Sequence, residues 1–199
     1  APAAAVVPAQ MPARAIKSGF AGGRSLFGSW SVSAARAAQS DTNLLFTKYS
    51  IPLAQSANQT LFSIAASAAG TGRIGYGLHF FASGERSGNG YGFGSSFLVW
   101  LTRDPGYYGT DAMYVQLYQS FDDVNMVQLA SAAVPGASIN RSNKTDVLYD
   151  KNSRTITVMV NGDVAFTFGV SMPIQRGDKI ALRTLGAPVT FTDLQVKTN

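Results

Sequence analysis

Residues 145–168, Thr-Asp-Val-Leu-Tyr-Asp-Lys-Asn-Ser-Arg-Thr-Ile-Thr-Val-Met-Val-Asn-Gly-Asp-Val-Ala-Phe-Thr-Phe, alternate apolar and polar side chains and are broken twice by turn-forming residues. Alternation with period two puts one set of side chains on a buried sheet face and the other on its opposite. Asn161-Gly162 is the strongest short hairpin signal a sequence can carry, because a two-residue type I′ loop needs positive φ at both central positions. Asp150-Lys-Asn-Ser153 is a looser turn of the same kind. The segment therefore reads strand, turn, strand, turn, strand, and it commits the chain to antiparallel sheet.

The same pattern extends upstream. Strands are expected over 29–35, 42–51, 59–69, 73–83, 95–102, 112–121, 124–132, 145–149, 155–160, 164–170, 179–184 and 189–197, with Ile74, Tyr76, Leu78 and Phe80 sharing one face. Turn signals about every eight to twelve residues predict two packed antiparallel sheets, an all-β sandwich. Asp104-Pro105-Gly106 marks a turn, since Pro presets φ and Gly is permissive. Residues 84–94, Gly-Glu-Arg-Ser-Gly-Asn-Gly-Tyr-Gly-Phe-Gly, read as a mobile connection. Residues 1–18, rich in Pro and Ala without a capping signal, read as a flexible arm ahead of one sandwich domain over 19–199.

Composition narrows the partners. Hydrophobic residues make up 46% of the 199, enough to fill a core, whereas only 14% are charged. The formal charge is +5, but Lys and Arg are scattered singly and form no basic stripe, so nucleic acid is not an expected partner. No stretch approaches the roughly 20 consecutive apolar residues of a membrane-spanning helix. The absence of cysteine removes disulfides, thiolate metal sites and a Cys nucleophile. The Ala/Pro start and low-charge, Ser/Thr/Gly-rich surface together point to export, to a periplasm or beyond.

The C-terminal run Asp146-Val-Leu-Tyr-Asp150, Ile156-Thr-Val-Met-Val-Asn-Gly162, Pro173-Ile-Gln-Arg-Gly177, Ile180-Ala-Leu-Arg-Thr184 and Val189-Thr-Phe-Thr-Asp-Leu-Gln-Val196 resembles the last strands of concanavalin A-like jelly rolls. The likeness is to the laminin-G-like and bacterial sugar-hydrolase branch of that superfamily, and it extends to the early Trp of Gly28-Ser-Trp-Ser-Val32. What the resemblance implies is a jelly-roll sandwich; its motifs are structural and imply no particular activity.

Hydrolysis of a glycoside needs two carboxylates across one cleft, which alternate positions of a strand would supply. Glu85 is the only Glu and stands alone, and Asp122-Asp123 would point to opposite faces of a strand. His79, the only His, lies in the apolar run Gly77-Leu-His-Phe-Phe81, where a hydrogen-bonded structural role is expected. No catalytic residue is assigned. A calcium site would have to come from Asp104, Asp111 and Asn89, which lack Asp-x-Asp-x-Asp spacing, so no metal or other cofactor is expected.

Binding is what remains. Tyr91, Phe93, Trp100, Tyr107 and Tyr108 gather around one loop-strand region with Asn89, Arg103, Asp104 and Asp111. Sugars present C–H faces to aromatic rings and hydroxyls to planar polar groups, so Tyr107, Tyr108, Arg103, Asp104, Asp111, Tyr91, Asn89 and Trp100 form a candidate glycan site. Of these, Trp100 in Phe97-Leu-Val-Trp-Leu101 reads as core, and the Tyr107-Tyr108 loop as the better platform. The preferred function is a non-catalytic exported module that recognises glycan or a cell-envelope protein. A structural subunit of an extracytoplasmic assembly and a concanavalin A-like glycoside hydrolase are the alternatives, and the oligomeric state is open.

Overall fold

The computed structural model describes residues 11–85 and 87–199. The chain opens with four short strands, β1 (Arg14–Ser18), β2 (Arg24–Phe27), β3 (Trp30–Val32) and β4 (Arg36–Gln39). Longer ones follow: β5 (Thr47–Gln55), β6 (Gln59–Ala68), β7 (Ile74–Ser83) and β8 (Ser95–Arg103). A one-turn helix, α1 (Pro105–Tyr108), leads into β9 (Met113–Ser120) and β10 (Met126–Ala133). The C-terminal part supplies β11 (Asn143–Asp150), β12 (Thr155–Val160), β13 (Asp163–Gly169), β14 (Gly177–Leu185) and β15 (Val189–Thr198).

These strands form two antiparallel sheets. Sheet I runs β13-β12-β11-β6-β15-β4-β3, with β1 also on β15, and sheet II runs β10-β9-β8-β7-β14-β5-β2. Hairpin neighbours alternate with pairs distant in sequence, such as β6 beside β15 and β7 beside β14, as in a jelly roll. The two inner faces bury one core, in which Phe62, Phe80, Phe81 and Tyr149 pack ring to ring at 5.0–5.9 Å. Each such side chain stabilises the fold by about 1.5–3 kcal/mol relative to exposure.

The hairpin expected at Asn161-Gly162 joins β12 to β13, with φ of 53° and 93° at the two turn residues and Val160 opposite Asp163. In the preceding turn, Asp150 Oδ1 accepts the backbone N–H groups of Asn152 and Ser153. Ile74, Tyr76, Leu78 and Phe80 all face the core. Phe81 does too, because the alternation breaks at its φ of 49° and the register slips between Phe80 and Ser83. Gln55 Oε1 accepts the Phe81 N–H at 2.7 Å and holds this bulge.

Several expectations change: β2 and β4 have no counterpart among the expected strands, and the strand expected over 42–51 runs instead over Thr47–Gln55. Residues 14–18 of the expected arm form a strand, while residues 1–10 lie outside the described part. The reason is a vacant edge: β4 pairs with β15 only over Val189–Thr192, Asp193 turns the backbone at φ 55°, and β1 covers Gln195–Thr198 beyond it. The C-terminal end of the glycine-rich segment, residues 92–94, is held by burial and hydrogen bonds. Phe93 is fully buried against Ala82 and Ala181, its N–H donates to Ser120 Oγ, and Gly92 and Gly94 donate to Asp123. Gly92 and Gly94 allow this close approach of backbone to backbone, so residues 92–94 fold down over the outer face of sheet II.

Candidate ligand-binding pocket

Along β8 the residues alternate between two apolar environments. Val99 and Leu101 enter the inter-sheet core, whereas Leu98 and Trp100 join Leu185, Phe46, Tyr118 and Met126 in a second cluster on the outer face of sheet II. Trp100, expected in the core, is thus buried on the other side of the sheet. Burial and alternation look the same from sequence when both faces are covered. The indole lies over β7, where Gly75 leaves the room: a Cβ there would stand 2.7 Å from Nε1 and closer still to the ring carbons.

Around this floor the outer face of sheet II encloses a cavity of about 350 Å³ lined by Trp100, Tyr91, Tyr107, Gln116, Gln128 and Arg183, among others. That is toward the lower end of the ~300–1,000 Å³ of small-molecule sites. Strand adjacency assembles it. Gln128 on β10, Gln116 and Tyr118 on β9 and Trp100 on β8 come from three adjacent strands, and Arg183 on β14 reaches in across β7, whose Gly75 and Gly77 carry no side chain.

One wall is the tyrosine group. Asp104 caps α1 by accepting the Tyr107 N–H, with Pro105 at the first helical position and Gly109 ending the turn at φ 67°. This holds Tyr107 at the rim, 72% exposed, its ring edge-on to Tyr108 at 4.8 Å. Tyr108 stacks flat on Tyr114 at 3.5 Å, and its hydroxyl accepts from Gln116 Nε2 at 2.6 Å. Gln116 Nε2 and the Tyr118 hydroxyl both reach Gln128 Oε1 at 3.0 Å. Burial, then the neighbouring Tyr91 and Tyr108, push the Tyr118 phenol well up, so it stays a neutral donor. The wall therefore offers ring faces next to planar amides.

The opposite wall is cationic. Arg183 is 1% exposed, with its Cζ 4.4 Å from the Phe46 ring centre and 5.2 Å from those of Tyr91 and Trp100. Desolvation lowers its pKa to about 10, which still leaves it charged at neutral pH. Its cross-strand partner on β5 is Lys48, also buried, whose Nζ donates to the Gly90 carbonyl at 2.7 Å. Burial and then Arg183 lower the Lys48 pKa to about 8.

The expected site residues divide between two places. Tyr91, Trp100, Asp104, Tyr107 and Tyr108 line the cavity; Arg103 and Asp111 pair with each other at 3.1 Å beside a separate depression, and Asn89 is exposed away from both. Asp104 and Asp111 do not approach each other as a pair, because Asp104 is taken by Arg73 at 3.0 Å and Asp111 by Arg103. Among the described residues no group of three or more His, Cys, Asp or Glu is placed to hold a metal ion. His79 is fully buried under the 84–94 segment, its Nδ1 2.9 Å from Ser96 Oγ, a structural role as expected. Sequence reasoning missed Phe46, Arg73, Gln116, Tyr118, Gln128 and Arg183. A signal existed for one of them: Arg183 is a lone cation in the apolar strand Ile180-Ala-Leu-Arg-Thr-Leu185.

No family model matches the chain, and no curated protein does. Solved structures do. The carbohydrate binding module CBM66 from Bacillus subtilis superposes with a TM-score of 0.67 at 12% identity, covering 89% of this chain and 96% of that one. A protein of unknown function with galectin-like fold from Bacillus subtilis gives 0.68 at 14%, over 94% and 97%. The carbohydrate recognition domain of Emp46p in its potassium-bound form gives 0.62 at 12%, over 88% and 87%. The fold is that of the concanavalin A-like jelly rolls. In this concanavalin A-like frame the cavity opens on the outer face of sheet II, away from the inter-sheet core. No helix among the described residues is long and apolar enough to cross a membrane.

Proposed function

We propose that the chain is a glycan-recognising module whose site is the aromatic pocket on the outer face of sheet II. The observation that carries this reading is the pairing of ring faces with planar amides. Trp100 at the floor and Tyr107 at the rim can stack on sugar C–H faces, while Gln116 and Gln128 stand ready to exchange their mutual hydrogen bond for ones to hydroxyls. Two of the similar structures are a carbohydrate binding module and a carbohydrate recognition domain, which supports the same class of ligand. Export to a periplasm or the extracellular space belongs to this proposal, as the setting in which an envelope or matrix glycan would be met.

Printed glycans challenged with the wild-type chain, Tyr107→Ala and Trp100→Ala test it. Tyr107 is exposed, so its loss should leave the fold intact while weakening binding about tenfold, and Trp100→Ala should abolish it. A wild-type chain that binds no glycan but captures an envelope protein through the exposed Phe121, Val124 and Val127 would replace this reading with assembly. Secretion of the native gene product, followed by cell fractionation, tests the location.

A further inference from the structure

Arg183 is a buried cation whose surroundings stabilise its charge without neutralising it. Aromatic ring faces attract a guanidinium but carry no net charge. The titratable groups around it are the phenols of Tyr91 and Tyr118, uncharged at neutral pH, the buried neutral His79, and the cations Arg73 and Lys48; none is a carboxylate. Its Nη1 meets the Met126 thioether at 3.4 Å, a weak acceptor, and its Nε has no hydrogen-bond partner among the described residues. Across the strand pair stands Lys48, a second buried cation, and like charges directly opposite destabilise a sheet. Lys48 is offset by the attraction of Asp123. The one carboxylate lining the cavity, Asp104, sits at the far rim against Arg73.

A buried charge without a counter-charge is costly, and a ligand that supplies the counter-charge relieves that cost. Arg183 lines the cavity, so the place for that counter-charge is the ligand. The geometry points to a carboxylate-bearing glycan, a uronic or sialic acid unit, as the pocket's ligand, its carboxylate bonded by Arg183 and its ring stacked on Trp100 or Tyr107. A carboxylate suits the planar fork of a guanidinium, which can donate two parallel hydrogen bonds to it. The neutral faces of the same sugar suit the tyrosine and glutamine wall opposite. The inference rests on the outer-face pocket being a glycan site, and it adds the acidic class.

Matched pairs of ligands test it without altering the protein. Titration calorimetry of the wild-type chain with oligogalacturonate against its carboxyl-reduced counterpart, and with sialyllactose against lactose, should show at least one acidic member binding tenfold or more tighter. Arg183→Met keeps much of the side-chain volume and should bring that acidic ligand down to the affinity of its neutral partner. Circular dichroism checks that this variant is folded; if it is not, the wild-type comparison alone decides. Equal affinity within each pair, or an acidic preference that survives in folded Arg183→Met, overturns the inference and leaves the glycan site standing. Absence of binding to either member of any pair overturns this inference, and if array binding is also absent the glycan site falls with it.

Discussion

Replacing Gly75 by Ala gives opposite results depending on where Trp100 lies. In a strand with open space beside it, Ala is favoured over Gly by about 0.5–1 kcal/mol, because Gly loses more backbone entropy on folding. At this position the new Cβ would enter the indole, with Nε1 only 2.7 Å away, and β7 is an inner strand with β14 and β8 on either side. Neither flanking strand can move aside, so the ring must shift. Overpacking of this kind costs about 1–3 kcal/mol. The collision exceeds the entropy gain, leaving a net loss of up to about 2 kcal/mol. In a Trp100→Ala background the collision vanishes and the same substitution should be neutral or stabilising, a coupling of about 1–3 kcal/mol between the two positions. Urea unfolding followed by far-UV circular dichroism reads all four chains of the cycle without depending on tryptophan emission. The same ΔΔG for Gly75→Ala in both backgrounds would show that Trp100 does not cover β7, and the pocket as described would have no floor.

Gly162→Val should cost about 1–3 kcal/mol by thermal melting, all of it backbone strain at φ 93°, since a Cβ there meets nothing within 4 Å; unchanged stability would contradict the turn. Burial, reinforced by Arg183 and Lys48, holds the pKa of His79 well below its usual 6.5, so the folded chain keeps it neutral while the unfolded chain takes up a proton as pH falls through 6.5. Stability should therefore be full above that pH and decline below it, by at most about 1.4 kcal/mol per pH unit, and His79→Asn should flatten the profile between pH 6.5 and 5; an unchanged slope in that variant would assign the effect elsewhere. The cavity presents one carboxylate, Asp104, already paired with Arg73, so no hydrolysis of neutral or acidic oligosaccharides is expected; turnover lost in Asp104→Asn would restore the hydrolase reading.

The fold was legible where local chemistry decides it. Period-two alternation located the long strands, and Asn161-Gly162 set the β12–β13 hairpin, because these depend on neighbours in the chain. What escaped was decided over long range. β1 exists because β15 has an edge that β4 does not cover, and nothing within residues 14–18 reports on that edge. The anchoring of residues 92–94 depends on Asp123 and Ser120, some thirty residues on. For the pocket, aromatic composition drew attention to Tyr91, Trp100, Tyr107 and Tyr108, but adjacency in sequence also drew in Arg103 and Asp111, which the end of β8 turns toward another depression. Phe46, Gln116, Gln128 and Arg183 converge only because β5, which Phe46 leads into, and β14, β7, β8, β9 and β10 are consecutive in sheet II. A strand with apolar residues on both faces cannot say which face is the inter-sheet core, so the sequence left open which side of sheet II buries Trp100.

The chain carries its own internal control for ligand binding at this pocket. Of its two tryptophans, Trp30 donates its indole N–H to the Phe27 carbonyl at 3.0 Å and packs beside Tyr49 and Phe191, while Trp100 lines the cavity. Two indole N–H resonances in a ¹⁵N-correlated NMR spectrum, assigned by Trp→Phe substitution, therefore report two places at once. Titration with a glycan that binds on the array should move the Trp100 resonance and leave that of Trp30 in place. A saturating ligand that leaves Trp100 unmoved would put the binding site elsewhere on the jelly roll.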